Sequence, residues 1–488
     1  MNERLKVKRE NVKTFKDLIL ESSKIFNSKK YLSYQKDNGE IVNVSFSETA
    51  KYCEFYSSWI NTNFKNKISS REIHVGVLGH GNFNYLLIYF ATIYSGHVTV
   101  PIDPNSDMET LKYCVNHGDI DIIFYDKNLQ PKIDYLKSSC PNVKKFILIN
   151  KYQEEKKEEN NNGKDGDNYS LDDILEEYKD KTYPTTVKPD DNAFIFFTSG
   201  TTGAKKGVVI TNECIAEKVF SENCLEGDKD EVCLSVLPLY HVFSTSEFFY
   251  SLRLGFNVCF GQNLTKLIQY FHVFKPTIMT CVPLIAKNLV TQVLRILKEY
   301  PGISVEVARS KIFGPSFSTM IVGGSHFPES VIKDFYSIGI YRIGQGYGLT
   351  ETFGNSTQPD FNPKKIASIG KLAPGFQVRF KDGEIQLKSK SVMKEYYKAP
   401  DQTREILTDD QWIQNVSPEA IEQKFYDEML IQEMIVYGKN DLLCAEVFPN
   451  YDYAKIANIP KDSVKDLIWK IIEKKNKALP SYEHIVKL

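Results

Sequence analysis

The stretch that most constrains the fold is Ala193 to Thr211, AFIFFTSGTTGAKKGVVIT. Phe194-Ile195-Phe196-Phe197 reads as one buried strand and Val208-Val209-Ile210 as another. Between them, Thr198-Ser199-Gly200-Thr201-Thr202-Gly203-Ala204-Lys205-Lys206-Gly207 holds only small, hydroxylated or cationic residues, three of them glycine. Glycine permits close backbone approach and positive φ, so that N–H groups can turn inward on an anion. Hydroxyls add donors and lysine adds charge. A polyphosphate suits such a loop. It is not the common P-loop, which needs G-x-x-x-x-G-K-[ST] between a strand and a helix. Lys205 stands where the second glycine belongs, and a strand follows. Composition alone is equally met, and more economically, by a bare hairpin.

The chain around this stretch has 488 residues, too many for one ordinary core, which implies about two to four domains or subdomains. Hydrophobic residues at 42% and charged residues at 25% match a soluble globular protein. The net charge of -1 supplies no global field, so nucleic acid is not an expected partner. Met1 to Lys16 is charged and lacks the apolar core of a secretory signal. The densest apolar window, Tyr85 to Tyr94, is too short for a transmembrane segment and reads as a buried helix. Nine cysteines without a CxxC pair argue for reduced thiols, and against a disulfide framework or structural zinc. The expected location is cytoplasmic, with a peripheral position at a membrane left open.

Along the chain, residues 14 to 60 read as helix, hairpin and helix, with strands at Lys30–Tyr34 and Glu40–Phe46. Ser45 or Ser47 caps a helix whose Tyr52, Phe55, Tyr56 and Trp59 form a core stripe. From residue 73, strands at Ile73–Leu78, Val98–Ile102, Ile120–Tyr125 and Lys145–Ile149 alternate with helices at Asn84–Tyr94 and Asp107–Asn116. Such alternation implies a parallel, doubly wound sheet. His74, His80, His97 and His117 fall in no cluster and read as surface or core residues. Residues 151–168, KYQEEKKEENNNGKDGDN, are charged and low in complexity, and read as a disordered surface insertion.

In the second half, Cys233 to His241 is a strand running into Pro238-Leu239-Tyr240-His241. Leu264 to Val290 reads as helix, strand and helix, the last opening at Pro283, a favoured first-turn residue. Strand Thr319–Val322 ends in Gly323-Gly324-Ser325, which lets a flat ligand lie on the backbone. Strand Ile340–Ile343 runs into Gly344 to Thr352, GQGYGLTET. This segment carries an aromatic ring able to stack on a base, hydroxyls able to donate to phosphate, and a carboxylate suited to Mg²⁺.

With these segments in this order, the chain resembles the adenylate-forming, AMP-binding superfamily, and within it the fatty acyl-CoA synthetases. TSGTTGxxKG is its phosphate-loop signature, with Lys205 in place of the usual proline. LPLYHVFS resembles the element lining the acyl pocket, GQGYGLTET the nucleotide signature, and Ala91 to Asn105 a structural "helix, Gly, strand, P-x-D-P" element. The resemblance implies an α/β fold. A large N-terminal domain of two doubly wound α/β subdomains plus a small β-barrel would occupy residues 1–398. A linker would follow at 399–412, then a small, mobile α+β C-terminal domain, incomplete here, at 413–488.

By the same resemblance, Thr198, Ser199, Gly200, Thr201, Thr202, Gly203 and Lys206 hold the ATP phosphates. Gly323, Gly324 and Ser325 pass beside adenine, together with Gln345, Gly346, Tyr347 and Gly348. Tyr347 stacks, Thr350 touches the α-phosphate, Thr198 and Glu351 serve Mg²⁺, and His241 faces the substrate carboxylate. Catalytic weight falls on Thr198, Lys206, His241, Thr350 and Glu351. No aspartate follows His241, where Val242 to Ser246 lead only to Glu247, so an amino acid substrate lacks its usual partner. The implied reaction activates a carboxylic acid, a fatty acid by the nearest resemblance, with ATP and then forms a thioester with coenzyme A. A carrier protein as acceptor, and a catalytically silent nucleotide- or acyl-binding homologue, are the alternatives.

The chain departs from the pattern after Thr408-Asp409-Asp410-Gln411-Trp412. The resemblance implies a TGD motif with a ribose-binding aspartate and a G-R-x-K hinge there, but Ile413 leads straight into Gln414-Asn415-Val416-Ser417-Pro418-Glu419. The lysine-bearing tail implied beyond Leu479-Pro480-Ser481-Tyr482 also has no counterpart before Leu488. The favoured expectation is that residues are missing from the sequence at both places; a true deletion would severely impair adenylation.

Overall fold

In the computed structural model the described residues are 6–36, 38–64, 71–150, 169–198, 205–221, 225, 230–261, 263–325, 327–366, 368–381, 384–414, 425, 428–439, 442–457, 459–476 and 485–487. The segment 151–168, read above as an insertion, lies outside them.

The strands of the first half are β1 (Lys30–Gln35), β2 (Ile41–Ser45), β3 (His74–Leu78), β4 (Val98–Ile102), β5 (Ile122–Tyr125), β6 (Lys145–Leu148), β7 (Asn192–Thr198) and β8 (Lys206–Thr211). Then follow β9 (Val232–Ser235), β10 (Asn257–Phe260), β11 (Ile278–Cys281), β12 (Thr319–Val322) and β13 (Arg342–Gln345). The remaining strands are β14 (Gly348–Leu349), β15 (Gly354–Asn355), β16 (Thr357–Gln358), β17 (Lys371–Leu372), β18 (Gln377–Lys381), β19 (Glu384–Lys388), β20 (Glu395–Tyr396), β21 (Ile413–Gln414), β22 (Ile431–Lys439), β23 (Leu442–Pro449) and β24 (Ile485–Lys487).

Two seven-stranded sheets organise the large domain, in the orders β20-β8-β7-β4-β3-β5-β6 and β13-β12-β11-β9-β10-β1-β2. In the first, β3 to β7 run parallel and β8 turns back antiparallel on β7. In the second, all strands are parallel except β2, which pairs antiparallel with β1. Strands buried on both faces carry continuous apolar runs, whichever way their neighbours point. This explains Phe194 to Phe196 and Val208 to Ile210, all nearly inaccessible. Helix Phe83–Tyr94 is buried along its length because it packs in the largest core cluster, which gathers Val75 and Phe194 of the first sheet with Tyr31 and Val258 of the second. Among the described residues no helix is long and apolar enough to cross a membrane.

Ser45 begins helix Phe46–Phe64 as expected, accepting from the Glu48 N–H while the Glu48 carboxylate accepts from the Ser45 N–H. His74 and His97 are buried and His80 is exposed beside Asp126. Seven described cysteines, Cys53, Cys114, Cys140, Cys214, Cys233, Cys259 and Cys281, are buried free thiols.

The region expected to form a small β-barrel forms, among the described residues, the pair β16-β17 and the three-stranded sheet β18-β19-β21. β20, expected with them, joins the first large sheet instead, with Glu395 opposite Val209 and Tyr396 opposite Val208. The C-terminal residues build a separate sheet, β22-β23-β24, whose own core includes Met434, Ala445, Ile468 and Ile472.

Candidate active site

Ligands of open parallel sheets bind beyond the carboxyl ends of the strands. Those ends carry the sequence-predicted residues. β12 ends at Val322, directly before Gly323-Gly324-Ser325, and β13 ends at Gln345 in register with Val322. β9 leads through Pro238 to His241, whose backbone carbonyl accepts from the Thr245 N–H at the start of helix Val242–Leu254. In the other sheet β7 ends at Thr198, and β8 returns from Lys206 opposite it. The antiparallel hairpin read from the sequence is therefore present. Its tip, Ser199, Gly200, Thr201, Thr202 and Gly203, lies outside the described residues.

Tyr396 connects the two sheets at this point. Its hydroxyl donates to Glu351 Oε1 at 2.6 Å, and Lys206 Nζ lies over its ring, 5.1 Å from the centroid. The Met393 N–H donates to the Glu351 carbonyl at 2.7 Å. The cation of the phosphate hairpin and the carboxylate of the second motif thus meet across one phenol. The hairpin is anchored further by Tyr113, whose hydroxyl donates to the Lys205 carbonyl at 3.0 Å, and by the Tyr397 N–H, which donates to the Gly207 carbonyl at 2.7 Å.

Backbone contacts hold the segment Gln345 to Glu351. The Gly346 N–H donates to Val322, the Tyr347 N–H donates to Thr357 Oγ1, and the Tyr347 carbonyl accepts from Ser356 and Thr357 N–H groups. β14 and β15 then close a hairpin. A Cβ on Gly348 would lie 2.1 Å from the Gly354 carbonyl oxygen, so only glycine fits. Lys218, almost wholly buried, donates to the Asn355 carbonyl from below. Tyr347, Thr350 and Glu351 are half-buried. Gln345 has a structural contact as well. It is buried and its Oε1 accepts from the Phe327 N–H at 3.2 Å, so it braces the turn after Gly323-Gly324. At Gly323 a Cβ would come within 2.8 Å of Phe243 Cζ, so that ring lies directly against the bare backbone.

His241 sits at the mouth beside Tyr240, ring centroids 4.6 Å apart. Desolvation by the surrounding protein lowers its pKa, Asp103 raises it, and Lys205 lowers it again. The imidazole is therefore mainly neutral near pH 7.

The profile described as AMP-binding enzyme matches residues 26–397, and that of the AMP-binding enzyme C-terminal domain matches 413–488. The chain belongs to the AMP-binding enzyme family. Among its curated relatives, long-chain-fatty-acid–CoA ligase 5 of Mus musculus is 23% identical, covering 78% of this chain and 63% of that protein. Malonate–CoA ligase of Arabidopsis thaliana is 24% identical, covering 76% and 60%. The chain spans between about half and two-thirds of the length of such relatives. Among solved structures, a Mycobacterium tuberculosis fatty acyl CoA synthetase superposes with a TM-score of 0.70 at 18% identity, covering 97% of this chain and 93% of that one. The anthranilate CoA ligase AuaEII, in complex with anthranoyl-AMP, gives 0.71 at 14%, covering 99% and 94%. At these identities the structural likeness is one of fold.

For this AMP-binding enzyme, the donor set fits a magnesium ion shared with phosphates. Mg²⁺ is ordinarily held by one or two carboxylates plus substrate oxygens and water. Glu351 supplies a carboxylate, one oxygen of which accepts from the Tyr396 hydroxyl, and a carboxylate can accept several bonds. Among the described residues there is no cluster of three or more His, Cys, Asp or Glu that could hold a metal.

Two nearby residues, Tyr396 and Asp103, were absent from the sequence-based set. Tyr396 lies 45 residues beyond Glu351, and only pairing of β20 with β8 brings it in. Asp103, read as structural, comes close enough to act electrostatically on both Tyr240 and His241. Directly after Trp412, where the resemblance implies further residues, Ile413–Gln414 forms β21 against β19. Asp410 faces Arg379 and accepts from Thr408 Oγ1, an exposed surface arrangement.

Proposed function

We propose that this chain activates a carboxylic acid with ATP, forming an acyl-adenylate, and transfers the acyl group to a thiol, that of coenzyme A. The observation that carries this reading is the meeting of Lys206 and Glu351 on Tyr396 at the carboxyl ends of both sheets. In the first step the carboxylate oxygen attacks the α-phosphorus in line, and pyrophosphate leaves with the electron pair. In the second the thiolate attacks the acyl carbonyl and AMP leaves. Neither step asks for much acid–base work, so positioning and charge stabilisation dominate.

Lys206 would draw the departing pyrophosphate, together with the hydroxyls and N–H groups of Thr198 to Gly203. Thr350 would donate to the α-phosphate, and Tyr347 would stack on adenine beside Gly323, Gly324 and Ser325. Bound Mg²⁺, held by Glu351 and Thr198, would neutralise phosphate charge. Tyr396 is a positioning residue: it fixes the Glu351 rotamer and orders Lys206 above its ring. His241, mainly neutral, would face the substrate carboxylate without repelling it or trapping it as an ion pair. Likeness to fatty acyl-CoA ligases supports a fatty acid as substrate class, and a cytoplasmic setting accords with the buried, unpaired thiols.

The test is acid-dependent exchange of labelled pyrophosphate into ATP. Lys206→Ala and Glu351→Ala should each reduce it by orders of magnitude, and full exchange in both variants would remove the site assignment. A second reading, a nucleotide- or acyl-binding homologue without turnover, is favoured by one observation, the direct passage from Trp412 into β21. No exchange with any acid, despite nucleotide binding, would select it. Exchange without stimulation of AMP release by coenzyme A would favour a carrier protein as acceptor.

A further inference from the structure

Behind Gly323, a cavity lies between helix Val242–Leu254 and the inner face of β11 and β12. Phe243, Tyr250, Ile321 and Pro359 give it apolar walls. Phe243, one of its walls, also lies against the backbone of Gly323 at the end of β12. Four lining residues are polar: Ser246, whose hydroxyl donates to the Phe243 carbonyl, Asn355, whose carbonyl accepts from Lys218, and Glu247 and Thr280. Glu247 is 2% exposed and Thr280 4% exposed. Glu247 Oε1 and Thr280 Oγ1 are both buried without a hydrogen-bond partner. Ser235 Oγ is a third orphan of the same kind. Ser235 and Thr280 lie beside the Glu247 carboxyl and favour its charged form, though burial outweighs them, and neither hydroxyl reaches hydrogen-bonding geometry with Oε1.

Buried polar atoms are nearly always paired, and orphans gathered at one spot need an explanation. A site meant only for methylene groups gains nothing from them and bears their desolvation. A substrate carrying its own hydrogen-bonding group would complete them. Because burial keeps Glu247 mainly protonated near neutral pH, the group it meets is uncharged: a carboxyl both donates and accepts, as an alcohol does.

Resting on the ligase reading above, we propose that Glu247, with Thr280, is a specificity-determining pair that receives a hydroxyl on the substrate chain, so that the preferred substrate is a hydroxylated carboxylic acid. Sites built to hydrogen-bond a substrate hydroxyl discriminate strongly against the analogue that lacks it.

The experiment compares positional hydroxy isomers of medium-chain acids with their unsubstituted parents. Binding is measured by titration calorimetry without ATP, and turnover by pyrophosphate–ATP exchange. At least one hydroxy isomer should exceed its parent roughly tenfold or more in affinity and kcat/KM. Glu247→Leu should bring that ratio to about one, Thr280→Val should reduce it several-fold, and Glu247→Gln should retain it, since an amide also donates and accepts. Circular dichroism verifies that each variant is folded. Equal or better performance of every parent acid in the wild type overturns the proposal, as it would if water alone serves these atoms. Survival of the hydroxy preference in Glu247→Leu, or a preference for amino acids, also overturns it. Hydroxy-selective binding without exchange would sink the ligase reading but uphold this one, whereas exchange on plain acids without selectivity would do the reverse.

Discussion

Replacing Glu247 with Gln should make the large domain more stable at alkaline than at acid pH, relative to wild type, by a calculable amount. Burial raises this carboxyl from 4.5 to about 8, while the Ser235 and Thr280 hydroxyls oppose the shift. The folded chain therefore holds a proton that the unfolded chain releases between these values. The native state is penalised progressively as pH rises from 4.5, and the penalty levels off above about 8. At about 1.4 kcal/mol per pH unit, the wild type loses roughly 3 kcal/mol between pH 6 and pH 8.5 through this group alone. Glutamine has no proton to lose and escapes that term. The assay is urea denaturation of both proteins at the two pH values, followed by far-UV circular dichroism and by fluorescence of Trp59, which is buried in the large domain. The difference between the two pH dependences isolates residue 247 from every other titrating group. Parallel pH profiles, agreeing within about 0.5 kcal/mol, would mean that the carboxyl is already paired or solvated, and would refute both the burial argument and the neutral state assumed for it.

Tyr396→Phe removes the hydroxyl that donates to Glu351. A hydrogen bond to a charged group is worth about 1.5–3 kcal/mol, so exchange should fall roughly tenfold to a hundredfold, with a raised requirement for Mg²⁺; an unchanged magnesium titration would remove its positioning role. Gly348→Ala places a Cβ 2.1 Å from the Gly354 oxygen, so β14 and β15 must separate. The melting temperature should drop by several degrees, on an overpacking cost of about 1–3 kcal/mol, and nucleotide binding should weaken with it. Gly323→Ala should impair acid binding more than ATP binding, because its Cβ meets Phe243 Cζ at 2.8 Å; the double variant with Phe243→Leu should recover much of the loss, and no recovery would show that the ring is not the obstacle.

Local chemistry made the strands around the candidate site legible. The β7–β8 hairpin follows from two apolar runs separated by a stretch that no helix or strand would tolerate, and the structure closes it there, with Thr198 opposite Lys206. Val98–Ile102 is a strand with the expected limits because a proline-flanked apolar run leaves little choice. β13 was read two residues early, ending at Ile343, because Gly344 looks like a loop residue. Pairing of Gly344 with Ile321 and Gln345 with Val322 carries the strand onward. Register of this kind is set by a neighbouring strand distant in sequence. The contact of Gln345 with the Phe327 N–H was hidden for the same reason, since only the turn after β12 presents that donor.

What the sequence by itself determined is the inventory: a phosphate-loop hairpin, a Gly-rich segment with a ring, hydroxyls and a carboxylate, alternating elements for parallel sheets, and thiols left reduced. These depend on residue types at short spacing, where backbone preference and side-chain chemistry act directly. Tertiary structure alone decided how the inventory is joined. β20 leaves the small sheets to flank β8 and so sets Tyr396 between Lys206 and Glu351. Glu247 is brought to the cavity wall beside Thr280 because helix Val242–Leu254 packs against the sheet. The physical reason is common to both cases. Burial and long-range pairing are properties of the packed chain, and no window of sequence contains them.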